Sequence, residues 1–233
     1  MILSASRRTD IPSYWSDWFL RRLREGFVYV RNPMNPRQIS RVPLSPQVVD
    51  CIVFWSKNPG PLAKRLGELE DYPFYFQYSL TGYGKDVESN LPDKKEVLIP
   101  LFQELSKRLG PHRVVWRYDP ILFSQRYPPE YHLRAFEEIA RRLEGYGERV
   151  VISFVDLYAK TKRGTAGLEL WDPPGDGELL EFAGKLAALA RKYGFDMESW
   201  AEKIDRGPAG VRHGHCIDKA LIERIIGCRL TAS

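Results

Sequence analysis

The sequence predicts an α/β fold, a TIM-barrel-like and incomplete (β/α)6 barrel of parallel strands with an inserted hairpin near residues 27–44. Three observations predict it. Short runs rich in β-branched and aromatic residues recur along the chain and read as buried strands. Segments of helical period lie between them, and this alternation means parallel strands joined by helical crossovers. Polar and charged residues gather directly after the strand runs, at the end where such folds build their sites.

The strands are "MILSAS" at the start, "CIVFWS" at 51–56, "FYFQYSL" at 74–80, "RVVWRY" at 113–118, "RVVISFVD" at 149–156 and a sixth at "FDMESWAE", 195–202. Trp15, Trp18, Phe19 and Leu23 share one helical face that Ser13 can cap and Gly26 can end. "FVYVRNP" and "QISRVPL" flank Asn-Pro-Met-Asn-Pro and predict the hairpin. Leu62, Leu66 and Leu69 mark the next helix. Val97, Leu101, Leu105 and Leu109 mark another, with a kink or restart at Pro100. Leu133, Phe136, Ala140 and Leu143 follow Pro129, and Leu179, Phe182, Leu186, Leu189 and Tyr193 make a further helix. A last short helix runs from Asp218 to Ile226 and stops at Gly227. Six strands fit an open barrel as well as a closed one, and the chain reads as a single domain over 1–233.

Composition bounds the class of protein. No apolar run approaches the roughly 20 residues of a membrane span, and the first strand runs straight into charges rather than into a cleavable signal. Cys51, Cys216 and Cys228 are too few and too scattered for a disulfide framework. A reducing, cytoplasmic location is the expectation. The net charge of +5 favours anionic partners, although 35 basic against 30 acidic residues is an ordinary mixed surface. Oligomeric state is not legible.

The strand ends carry the candidate site. After the first strand stand Arg7, Arg8 and Asp10; after the second Trp55, Lys57 and Asn58; after the third Tyr78 and then Tyr83 within "LTGYGKD". The fourth ends in Arg117 and Asp119, the fifth in Asp156, Lys160 and Lys162, and the sixth contains Glu202. A cation that continues an apolar strand is desolvated and needs an anion, at a cost of several kcal/mol per unpaired ion by rough estimate. Cations outnumber the carboxylates beside them, and a phosphate or carboxylate ligand neutralises the surplus. Arg7, Arg8, Lys57 and Arg117 are therefore assigned to an anionic or nucleotide-like substrate, with Lys160 and Lys162. Asp10, Asp119, Asp156 and Glu202 are assigned to orienting it or moving protons, and Trp55, Tyr78 and Tyr83 to covering a flat group. Asp10 and Asn58 also read as helix caps, and Trp116 as a core aromatic. The glycines around Tyr83 predict a flexible loop that presents N–H groups or closes as a lid. In "VRHGHCID", His213, His215 and Cys216 offer two imidazoles and a thiol suited to zinc, iron or part of an iron–sulfur cluster.

"SASRRTDIP", "VRNPMNPRQISRVPLSP", "DCIVFWSKNP", "YFQYSLTGYGKD", "RVVWRYDPI", "VISFVDLYAKTKR" and "HGHCID" together resemble a bacterial family, number eighteen forty-eight among the domains of unknown function. The likeness runs in order from Met1 to about Leu230. It implies that members continue into a tail of the form Cys-x-x-x-Cys-x-x-Cys, similar to the motif of radical S-adenosylmethionine enzymes. For such members the resemblance implies a four-iron cluster with S-adenosylmethionine on its open iron. The present sequence carries no such tail, and Trp200 stands where the family pattern has a Cys before Ala-Glu. Neither cofactor is therefore expected on these 233 residues themselves.

Three functions follow in order of preference. The first is the barrel domain of a radical S-adenosylmethionine-related enzyme that binds an anionic substrate at the strand C-terminal mouth. The second is a metal-dependent barrel hydrolase or isomerase built on Asp119, Asp156, Glu202 and His215. The third is a nucleic-acid-binding module without catalysis.

Overall fold

A computed structural model describes residues 1–6, 9–32, 34–155, 170–171, 175–199 and 211–230. The fold is mixed α/β, and the chain divides into two compact units, Met1–Gln77 with Lys219–Ser233, and Tyr78–Asp218.

In the first unit, strand β1 (Ile2–Ala5) pairs in parallel with β4 (Cys51–Ser56), and β4 lies between β1 and β5 (Phe74–Ser79) in the sheet order. Cys51 through Phe54 are fully buried, as an unbroken apolar run between two neighbours must be. Phe54 meets the rings of Phe19, Phe74 and Phe76. The inserted hairpin is present as β2 (Phe27–Arg31) and β3 (Ile39–Pro43), an antiparallel ribbon of its own.

The first predicted helix forms as two. Helix α1 (Ile11–Tyr14) is capped by Asp10 rather than Ser13, whose backbone N–H donates to the Asp10 carboxylate. Trp15, at φ −132° and ψ 22°, breaks the helical path, and α2 (Ser16–Glu25) starts anew behind it. The buried face becomes Phe19, Leu20 and Leu23, which leaves Trp15 and Trp18 exposed against expectation. Gly26 ends α2 at φ 75°, a left-handed conformation that only glycine adopts cheaply. Leu62 lies in α3 (Gly60–Ala63), and Leu66 and Leu69 in the 3₁₀ turn after it, all three buried. The last helix of the chain, Lys219–Ile226, also belongs to this unit and stops at Gly227 as expected.

The second unit holds four parallel strands in the order β6 (Val114–Ile121), β7 (Arg149–Phe154), β8 (Asp196–Ser199) and β9 (Arg212–His213). Helix α4 (Ile99–Leu109) restarts at Pro100 behind a π-helical turn, Lys94–Leu98. That turn shifts the buried face by one residue, to Leu98, Phe102 and Leu105, and exposes Val97. Helix α5 (Pro129–Leu143) packs on α4 and on α6 (Asp176–Lys192), so the three form one layer over the sheet. On β6 the period of two sends Trp116 and Tyr118 into that layer, where both meet Phe136. Trp116 is thus the core aromatic its sequence position indicated. At the start of β7, Arg149 pairs with both Glu198 and Asp218.

His132 of α5 is fully buried. Its Nε2 lies 2.9 Å from the Leu122 carbonyl and its Nδ1 3.0 Å from the Tyr118 hydroxyl. A carbonyl only accepts, so Nε2 carries the proton and Nδ1 accepts from the tyrosine. Burial pushes the imidazole down from 6.5 to about 4. Between those values the unfolded chain binds the proton and the folded one does not, so this contribution is complete above pH 6.5 and is lost as pH falls towards 4. Replacing His132 with Gln should remove a pH dependence worth about 3 kcal/mol over that window, measured by urea unfolding at several pH values.

Candidate functional site

In the first unit the residues after β1 and β4 meet at one carboxylate. Ser6 closes β1 at φ 113°, a conformation rare outside glycine, and its Oγ accepts from Ile11 N at 3.1 Å. Asp10 accepts from Ser13 N at 2.9 Å, from Ser56 Oγ at 2.8 Å and from Lys57 N at 2.8 Å. It therefore caps α1 and ties the loop after β4 to the loop after β1. Burial raises its pKa, against the pull of those hydrogen bonds. Asn58 accepts from Gly60 N at 3.2 Å in a turn before α3, although the N-cap of that helix is Pro59 rather than Asn58. Trp55 is half-buried and donates to Ser4 Oγ at 3.2 Å.

In the second unit the polar residues of β6 and of the loop after β5 are brought together. Arg117 and Asp119 share the face of β6 turned away from α4, α5 and α6. They form a two-pronged ion pair, with Nε 2.9 Å from Oδ1 and Nη2 on Oδ2, at only 3% and 9% exposure. The Asp119–Pro120 peptide is cis. Tyr83 is buried, donates to Pro120 O at 2.8 Å and accepts from Leu122 N at 2.9 Å; burial drives its pKa upward, so it stays a neutral phenol.

The glycine-flanked loop is tied to β6 and α5 by hydrogen bonds. Leu80 N donates to Arg117 O, Trp116 Nε1 donates to Leu80 O, Tyr131 Oη donates to Gly82 O, and Gly84 N donates to Tyr127 Oη. Gly82 is required by proximity, since a Cβ there would stand 2.6 Å from Ala135 Cβ on α5. Thr81 donates to Glu88 at 2.9 Å, and Lys94 donates to both Glu88 and the Tyr83 carbonyl. Tyr127 donates to Asp86 Oδ1 at 2.6 Å, and burial followed by that carboxylate pushes its hydroxyl up to about 12.

Beyond the ends of β6 and β7 an apolar cleft is lined by Ile121, Leu122, Phe123, Phe154, Val155 and Leu170, with Trp171 at 45% exposure on its rim. Trp171 N donates to Phe123 O at 2.9 Å, which fixes the rim to the segment just after β6. Neither this cleft nor the Thr81–Glu88–Lys94 cluster was indicated by the sequence. Glu88 and Lys94 lie in the polar stretch "DVESNLPDKK", which reads as surface, and only the loop's fold buries Glu88 and half-buries Lys94.

Tyr78 is fully buried against Phe102, with its hydroxyl on Leu98 O at 2.9 Å. His213 and His215 stack edge to face with centroids 5.6 Å apart, and both are exposed, as is Cys216. Among the described residues no three His, Cys, Asp or Glu side chains gather to hold a metal ion. Arg7, Arg8, Asp156, Lys160, Lys162 and Glu202 lie outside the described residues.

Residues 2–233 match the family model described as Domain of unknown function (DUF1848). The chain belongs to this family. No curated protein and no solved structure matches it. A four-iron cluster needs several thiolates at close spacing. This DUF1848 chain has Cys51 buried in β4 and Cys216 and Cys228 exposed and twelve positions apart, which do not make such a set.

Asp10 gives a direct test of the first-unit tie. Asp10→Ala leaves the donors of Ser13, Ser56 and Lys57 without their acceptor. Denaturant unfolding should show a loss of about 2 kcal/mol.

Proposed function

We propose that this chain is a barrel-type ligand-binding domain of an enzyme related to the radical S-adenosylmethionine proteins, and that it takes an anionic or nucleotide-like substrate at the C-terminal ends of its strands. The relation to those enzymes rests on the family resemblance, and no step is assigned to a cluster. In support of the barrel, neighbouring strands follow one another in chain order within each unit. Among the described residues of the second unit, α4, α5 and α6 pack on one another and against β6 and β8.

The observation that carries the reading is the Arg117–Asp119 pair, buried on the face of β6 opposite those helices. An apolar pair of the same volume would stabilise that position at least as well, because desolvating two ions offsets their attraction. Its presence is accounted for by a ligand: Arg117 meets the anion, and Asp119 fixes the guanidinium plane. Two residues further along β6 the apolar cleft begins at Ile121, with the Trp171 indole on its rim. A flat ring laid against the Trp171 indole at the rim, with its phosphate or carboxylate towards Arg117, uses both features. Tyr83, neutral and anchored on Pro120 and Leu122, holds the backbone that joins them. The proposed location is the cytoplasm, in keeping with three free thiols.

The test separates binding from folding. Arg117→Met alone strands a buried carboxylate and should cost about 3–5 kcal/mol, whereas the double variant Arg117→Met/Asp119→Leu should fold with wild-type stability or better. Calorimetric titration with adenosine 5′-monophosphate and with inorganic phosphate should show binding to the wild type that weakens at least tenfold in the double variant. Equal binding by both proteins, or none by the wild type, would overturn the proposal.

A further inference from the structure

The β2–β3 hairpin has no part in the site above, and its surface chemistry is unlike the rest of the chain. Residues 26–49 contain Arg31, Arg37 and Arg41 and not one Asp or Glu. The pairing places Phe27 opposite Pro43, Tyr29 opposite Arg41 and Arg31 opposite Ile39. With a period of two, these six side chains share one face of the ribbon, and Val28, Val30, Ser40 and Val42 share the other. The valine face is half-buried at its base, at Val28 and Val42. The aromatic and cationic face is open: Tyr29 is 63% exposed, Ile39 56%, and all three arginines are exposed. Among the described residues none of the three guanidiniums is in an ion pair. Arg41 lies over the Phe27 ring at 4.3 Å, and Phe27 meets Tyr29 edge to face at 5.4 Å.

Two-stranded ribbons are marginal on their own, yet this one is held at both ends. At the base Leu44 N donates to Gly26 O at 2.8 Å. Near the tip Asn32 N donates to Gln38 O at 2.9 Å, and the Asn32 and Gln38 side chains pair at 2.7 Å. Asn32 and Asn35 accept from the backbone N–H groups of Met34 and Arg37. The face is thus preorganised, which lowers the entropy cost of binding.

We propose that this ribbon binds single-stranded nucleic acid, with Arg31, Arg37 and Arg41 on the phosphates and Tyr29 stacked on a base. Charge complementarity argues for a polyanion, since three cations stand with no carboxylate in 24 residues. The open aromatic between them argues for an anion that carries flat rings. A lipid surface fits less well: most apolar groups lie along the ribbon, while at the tip Met34 stands alone among Asn, Pro, Arg and Gln.

Fluorescence anisotropy with a labelled 20-nucleotide oligothymidine and the full chain tests this between 50 and 200 mM salt. Three phosphate contacts on a single strand predict a slope of about −2 in log K against log salt. Arg31→Ala/Arg37→Ala/Arg41→Ala should remove that slope and weaken binding at least tenfold at the lowest salt. The triple lysine variant at the same positions should restore the slope, which shows that charge and not a lost fold was responsible. Tyr29→Ala should weaken binding by roughly fivefold or more with the slope unchanged. A flat salt response, a triple alanine variant that binds like wild type, tighter binding to the matching duplex, or capture by phosphatidylserine vesicles alone would each overturn the proposal.

Discussion

Strand β6 must satisfy two surroundings with one alternation. Trp116 and Tyr118 enter the helical layer, and Arg117 and Asp119 turn to the other face and neutralise one another there. Much of the second unit answers to that choice. Trp116 and Tyr118 each bring a polar atom into the interior, and a buried donor left unmatched costs about 1–3 kcal/mol. The indole N–H finds Leu80 O, which fixes where the loop after β5 begins. The Tyr118 hydroxyl finds His132, which in turn takes the carbonyl of Leu122 and fixes where β6 ends. The strand thus sets the entry and exit of the segments that carry the proposed ligand site.

The first unit reaches a comparable result by different means. One carboxylate, Asp10, serves a helix start, a serine hydroxyl and a backbone N–H from the loop after β4. Its raised pKa shows that burial outweighs these donors, so the group is held where a charge is expensive. A carboxylate so fully engaged is first of all a structural tie, and any chemistry at this strand end has to work around it.

Much of the fold was legible because it rests on patterns the chain displays directly. Unbroken apolar runs such as Cys51–Phe54 have few alternatives to a central strand, and Gly26 and Gly227 end their helices where expected. Failures came where a local backbone choice moved a face. The break at Trp15 rotated Trp15 and Trp18 into solvent, and the π-helical turn before Ile99 did the same to Val97. Arg117 stands out in the sequence because a cation that continues an apolar strand is desolvated and needs an anion, and Asp119 is the partner it meets. The burial of Glu88 and His132 was not legible because it depends on how the segments carrying Thr81, Lys94, Tyr118 and Leu122 fold around them. Gly82 also permits close approach to Ala135, a requirement that needs the neighbouring helix in view.

Tyr83 has a role that its chemistry alone would not suggest. Its hydroxyl takes the Leu122 N–H and gives to the Pro120 carbonyl, two backbone groups either side of Ile121. In a regular sheet those groups would be matched by the next strand. Here, beside the register shift in the β6–β7 ladder between Tyr118 and Ile121, a phenol stands in for a neighbouring backbone and closes the sheet locally. The strand can therefore end in irregular geometry without exposing an open hydrogen-bonding edge, and the direction in which it ends is set by the length of one side chain.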